Sequence, residues 1–449
     1  ATTATRSDCG ESSLGDSASS LSDASSITQE ESDVTSSVKQ SENDQSLRNE
    51  WTIPGLRRSA IQEFMAWAFF AKDLHHLSPE ESQGVKDCIS CLCEATGLVG
   101  EEEDTQVEDG SKCAKSKAPH YVPRRMSLEN VGARHRPWIT YGWISFSQFV
   151  KRRLVLPLMG FKKVTASSVP LIAWYRPAAT ETSSSEVCLF FHGIAPAGLL
   201  LYLPMVQGIF ASQRQSVLLF ENPSISCQFG GSNFKALREE ETAIGVSEIL
   251  KSVQISPEKQ PLTLMGHSFG SCPITWILRR RNDPRFFQKY RFEHVVLLDP
   301  VTLLLSEPTV MAKFLYDRSN SKLLLVSSEL FTEFYLRRNF AWYNSEIWLE
   351  DFCPPQKQVA SPSTIDIPGK GSDNSAHQDS PNRWTIVLSG KDEIVPSPVV
   401  HDHVLFLKQR STELDLKCDV LYLPNAKHGH CIAFPQIWSR IQSILFPKS

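Results

Sequence analysis

Short apolar runs alternating with stretches of helical period, all of them after Val164, limit this chain more than any other feature. Residues 168–176, 186–191, 215–221, 261–265, 294–299, 384–389 and 418–423 each read as a buried strand, because each is mostly apolar and too short for a helix. Residues 237–253, between two of these runs, repeat their apolar side chains at helical spacing. Alternation of this kind implies crossover connections, and these build a mostly parallel α/β sheet with helices on its faces. The pattern breaks between about 306 and 383, where residues 323–349 are aromatic and helical in period and residues 356–382 are polar and rich in Pro, Ser and Asp. The expectation there is a helical cap inserted over the sheet, then a flexible loop.

Upstream, three textures follow one another. Residues 1–50 carry ten acidic and three basic side chains, a net of −7, so the other 399 residues sum to +3 within the total of −4. With few aliphatics and no aromatics, this tail buries too little to offset the entropy of ordering, and disorder is expected. Residues 51–164 read as a helical extension with a charged linker near 101–117. Ser59 and Gln62 suggest a capping box for a first helix; Ser78, Pro79 and Glu81 give a stronger one for a second, which ends near Gly97. That second helix places Val85, Cys88, Ile89 and Leu92 on one face, and its Cys88, Cys91 and Cys93 lack a further Cys/His pair at ligand spacing, so they read as structural. Residues 151–163 hold an apolar run, Leu154 to Phe161, with three basic residues before it and two after, suited either to an anionic membrane surface or to packing on the globule with its basic ends solvated. Residues 165–449 form the α/β part. The apolar run from Gly193 to Ala211 approaches spanning length, but Pro196, Pro204 and Gln207 interrupt it.

A near-neutral chain with a pI near 6.3 offers no general attraction for nucleic acid. Eleven cysteines, an odd number, and the absence of an Asn-x-Ser/Thr site with a permitted middle residue suggest a reducing, intracellular setting, cytoplasmic or at a membrane surface. Nothing in the sequence fixes an oligomeric state.

The chemistry is concentrated at four loops. Strand 261–265 runs into Gly266-His267-Ser268-Phe269-Gly270 and then a helix-like segment, the strand–turn–helix context that a nucleophile elbow requires. Gly266 and Gly270 permit a turn tight enough to lift the Ser268 hydroxyl above the sheet. A serine hydroxyl needs a base, and the base an acid to orient it, in the chain order Ser, Asp, His. Asp392 follows strand 384–389; Asp299, at the end of its own strand in Leu298-Asp299-Pro300, is the alternative acid, and Glu393 adjoins Asp392. After strand 418–423 two histidines compete: His428, followed by the turn-forming Gly429, is favoured, and His430 is the alternative. The oxyanion is expected to meet the amides of Phe269 and Ile194, the latter in the His192-Gly193-Ile194 loop, where His192 reads as a brace.

The His-Gly oxyanion segment, the GHSFG elbow, the SGKDEIVP acid loop and the KHGH histidine loop resemble, in order, those of the α/β-hydrolase superfamily, over roughly residues 165 to 449. The segments WAFFAKDL, RHRPW and RRNFAWYNSEIWLEDF look similar to a poorly characterised eukaryotic group of such hydrolases with an N-terminal helical extension. The resemblance implies a serine hydrolase acting on carboxylic, possibly lipid, esters with no metal or cofactor. An acyltransferase on the same scaffold and a non-catalytic binding module are the alternatives. The aromatics Phe331, Phe334, Tyr335, Phe340, Trp342, Tyr343 and Trp348 lead us to expect a hydrophobic acyl pocket suited to medium or long chains.

Overall fold

The computed structural model describes residues 56–98, 121–179, 186–229, 236–317, 319, 326–352, 381–410 and 417–446. The expected tail 1–50, the linker 101–117 and most of the loop 356–382 lie outside them. Eight strands form one sheet: β1 (Lys162–Thr165), β2 (Ile172–Arg176), β3 (Val187–Phe191), β4 (Ser216–Glu221), β5 (Leu262–His267), β6 (Phe292–Leu298), β7 (Arg383–Ser389) and β8 (Cys418–Leu423). Their order is β1-β2-β4-β3-β5-β6-β7-β8. The hairpin β1–β2 and the pair β2–β4 are antiparallel, and every other neighbour is parallel.

The parallel strands read as continuous apolar runs because both faces are covered. All five residues of β3 and all six of β4 and β5 are buried. One core holds Leu189, Leu264, Val295 and Ile386; the opposite face holds Cys188, Phe190, Leu219 and Met265 against the helix Leu203–Ile209 and the C-terminal helix Pro435–Leu445. This mostly parallel eight-stranded sheet, with its crossover order and flanking helices, is the α/β-hydrolase fold.

Seven of the strands stand where the apolar runs put them. The eighth, β1, is an edge strand whose side chains are mostly exposed, so it left no apolar signal, and it falls where the sequence suggested the basic end of a helix. The cap is also less regular than expected. Its described part has a short helix, Pro308–Met311, that runs on into a π turn, Ala312–Tyr316, and a helix of two and a half turns, Leu330–Arg338, with the short turns Tyr343–Ser345 and Leu349–Phe352 after it.

Helix α1 (Arg58–Phe70) has Arg57 at its N-cap position, so Ser59 lies within its first turn and makes no cap. Helix α2 (Pro79–Thr96) has the expected capping box: Ser78 Oγ accepts from Glu81 N, and Ser78 N donates to Glu81 Oε2 at 2.8 Å. Gly97 ends it at φ 71°. Val85 and Ile89 are buried against α1, but Cys88 points outward and Cys93 packs inward instead. The α1–α2 pair is tied to the main core through Trp67, which packs into it and donates from Nε1 to Ser127 Oγ at 2.7 Å. Helix α3 (Trp138–Val150) continues through a widened π turn, Lys151–Val155, into a last turn before β1.

Candidate active site

Strand β5 delivers Ser268 to the C-terminal edge of the sheet, where it adopts φ 52°, a left-handed backbone that a non-glycine residue holds only when its surroundings impose it. The surroundings here are very close. A Cβ on Gly270 would strike the Phe191 carbonyl of β3, and one on Gly266 would meet the Gly270 carbonyl and Ile274. The two glycines therefore let the turn Ser268–Gly270 fold back into the helix Ser271–Arg279 directly over the strands.

Two further loops reach Ser268. His428, beyond β8, approaches Ser268 Oγ through Nε2 at 3.0 Å and holds Asp392 Oδ2 through Nδ1 at 2.7 Å. Asp392 follows β7; its side chain is fully buried, and its other oxygen accepts from the amides of Ile394 and Val395 at 2.7 and 2.9 Å. Burial pulls the His428 pKa down, but the hydrogen bond and charge of Asp392, helped by Asp299 and Glu393, outweigh it and leave the imidazole above its ordinary value. His430 lies elsewhere: it opens the short helix His430–Ala433 and meets the Phe434 ring edge-on.

Asp299, the other acid weighed from the sequence, is fully buried and bridges loops. It accepts from Ser389 N and Oγ at 2.9 and 3.0 Å, from Gly429 N at 2.9 Å and from the Cys431 thiol. It thus anchors the backbone next to His428, and burial raises its own pKa. Two sets of donor atoms lie at metal-ligand spacing among the described residues, His267/Asp299/Cys431 and Asp299/Asp392/His428, and the oxygens of the shared Asp299 are already taken up by these contacts.

On the other side of Ser268, the loop after β3 brings Ile194 to the same cavity as Ser268 and Phe269. Neighbouring amides are committed: Gly193 N donates to Tyr202 Oη at 2.9 Å and Ala195 N to Ile225 O at 3.0 Å. His192 braces this loop from within. Its Nδ1 meets Gly193 O at 2.8 Å and its Nε2 accepts from Asn222 N at 3.0 Å, while burial lowers its pKa to about 4 and keeps it neutral.

Three contributors escaped the sequence reading. Tyr202 Oη links Gly193 N to His267 Nδ1 at 2.9 Å, tying the loop after β3 to the elbow. His267 is held neutral by burial, and by His428 and His192 beside it. At the end of β4, Glu221 takes Lys151 Nζ at 2.6 Å, Arg152 Nε at 3.0 Å and Trp174 Nε1 at 3.1 Å. Burial alone would raise the Glu221 pKa; Lys151 and Arg152 overcome that and hold it at about 2. Lys151 and Arg152, at the start of an apolar run, were expected either at an anionic membrane surface or in solvent. Instead Lys151 is buried, because the π turn swings it under the helix.

The cavity at Ser268 measures about 40 Å³, with Val301, Leu305, Leu336, Phe340 and Trp342 among its walls. Of the cap aromatics, Phe340 and Trp342 line it, whereas Phe331 and Tyr335 are buried in packing. Phe340 and Trp342 also form the near wall of a larger, mostly apolar cleft of about 560 Å³ that reaches Trp67 and Phe69.

No protein-family model matches the chain, and no curated protein sequence is similar to it. Among solved structures it is similar to a putative hydrolase from Agrobacterium vitis S4, at 16% identity over 64% of this chain and 97% of that one, with a TM-score of 0.36. It is also similar to a thermostable esterase from Pseudomonas putida ECU1011, at 11% identity over 70% and 89% of the two chains, TM-score 0.42. A third is a bacterial membrane phospholipase A, at 14% identity over 69% and 92%, TM-score 0.41.

Proposed function

We propose that this protein is a serine hydrolase that cleaves carboxylic esters through an acyl-enzyme on Ser268. The observation that carries the reading is the unbroken chain Ser268 Oγ, His428 Nε2, His428 Nδ1, Asp392 Oδ2, with contacts of 3.0 and 2.7 Å, opening onto an apolar cavity. His428 takes the hydroxyl proton as Ser268 Oγ bonds to the acyl carbon, and the negative charge moves to the former carbonyl oxygen. The amides of Ile194 and Phe269 receive that oxyanion. Collapse expels the alcohol, which leaves with the proton held by His428; water then attacks the acyl-enzyme with His428 again as base, restoring Ser268 and releasing the acid. Asp392 keeps the Nδ1–H tautomer and stabilises the imidazolium.

The apolar walls favour an apolar acyl group. A medium or long chain would need Trp342 to yield, since it and Phe340 separate the cavity from the larger cleft. Turnover of a chromogenic ester tests the proposal: Ser268→Ala should lower kcat by a factor on the order of 10⁶. Unchanged turnover in that variant would refute it.

A further inference from the structure

Helix α3 is amphipathic in the wrong sense for a surface helix in water. Its inward face carries Tyr141, Ile144 and Gln148, continued by Lys151, and its outward face carries Trp138, Ile139, Trp143, Phe146 and Phe149. These five are exposed by 57 to 82%, and Leu154 in the π turn and Leu158 beyond it extend the surface. The inward face is buried and committed to the globule. Tyr141 donates to Glu329 at 2.9 Å, Ile144 packs on Ala197 and Cys227, and Lys151 is paired with Glu221. The helix therefore cannot roll over to hide its apolar side.

Charge selects the occupant. From residue 130 to residue 180 the chain has no Asp or Glu, against eight Lys or Arg, and of these Arg134, Arg153, Lys162 and Lys163 are exposed. Tryptophans on an exposed apolar face flanked by uncompensated cations match the interface of an anionic bilayer, where aromatic rings lie at headgroup depth and basic side chains meet lipid phosphates. Lys151, Arg152 and Arg153 interrupt the apolar character of the helical stretch that α3 begins, and among the described residues no helix is long and apolar enough to cross a bilayer.

We infer that the outward face of α3, from Trp138 to Phe149, docks this protein onto the surface of anionic phospholipid membranes. The inner side of the same helix rests, through Ile144, on Ala197 and Leu200 just beyond the His192–Ile194 loop, so docking brings that loop close to the bilayer. The inference does not depend on the esterase reading.

Flotation of the full chain with vesicles tests it. Binding should be strong on phosphatidylcholine mixed with phosphatidylserine, weaker on phosphatidylcholine alone, and reduced by added salt. The double variant W143E/F146E should bind the mixed vesicles about tenfold more weakly or worse, with an unchanged circular dichroism spectrum and melting curve. K162E/K163E, on the exposed side of β1, should lose the preference for the anionic lipid, which keeps the test available if the first variant is unstable. Flotation of W143E/F146E equal to wild type, or no flotation of the wild type on either vesicle, would overturn the inference. So would a wild-type dimer that W143E/F146E converts to monomer, since the face would then belong to a second copy. Ester turnover in solution, followed in the same samples, depends on Ser268 and reports separately.

Discussion

Ser268 stands at a point where backbone strain, burial and three loops meet, and the residues around it make different kinds of demand on the sequence. Gly266 and Gly270 were readable because a tight turn between strand and helix leaves no room for a Cβ, a purely local requirement. Asp392 and His428 were readable as residues following strands; only the folded sheet brings them together, and it separates His428 from His430 by making the latter the start of a helix. Tyr202, His267 and Glu221 carried no such signal, since each acts through a partner distant in sequence: Tyr202 is 65 residues from His267, and Glu221 is 69 from Arg152.

One prediction belongs at this scale. General-base action needs neutral His428, whose pKa is raised, so kcat/KM should fall as pH drops through a midpoint above the ordinary imidazole value of about 6.5. Asp392→Asn removes the largest raising influence and leaves burial, which lowers the pKa. That variant should lose about 10⁴-fold in kcat and shift its residual acid limb to lower pH. A wild-type midpoint below 6.5 in the pH–rate profile would contradict this assignment.

At the scale of elements, the parallel strands were legible because burial on both faces writes an apolar run, and β1 was not because an exposed edge strand writes none. The segment after α3 misled for a related reason. Basic residues beside an apolar run read as solvated, whereas the π turn directs Lys151 inward to Glu221. Lys151→Met should leave Glu221 buried with Arg152 and Trp174 alone, at a cost of about 3–5 kcal/mol in urea unfolding. Pairing it with Glu221→Gln should recover part of the loss; no loss in the single variant would show that the pair does not hold α3 to the sheet.

The cap supplies another test. Trp342 donates to Leu305 O at 3.0 Å and stands between the cavity at Ser268 and the 560 Å³ cleft. Trp342→Ala should join the two spaces and raise kcat/KM for dodecanoyl relative to butanoyl esters by about tenfold. An unchanged ratio would mean that the cleft is not reached from the site.

Over the whole molecule, the charge balance takes on a spatial meaning. The total of −4 conceals an acidic first 50 residues and a stretch of 51 residues without a carboxylate, and the latter holds the apolar face of α3. The sequence offered residues 151–163 either as a membrane contact or as a helix packed on the globule; the structure turns Lys151 inward and presents the larger apolar surface just before it, on Trp138 to Phe149. Composition reported the charges, but only the direction of each side chain separates a docking face from a packed one.

The central claim is that Ser268 is a nucleophile activated by His428 and Asp392, and a fluorophosphonate probe reads it directly by bonding to an activated serine. Intact-mass and peptide analysis should show one adduct on Ser268, none in Ser268→Ala and slow labelling in His428→Ala. Failure of the wild-type protein to label, or an adduct on a different serine, would contradict the account.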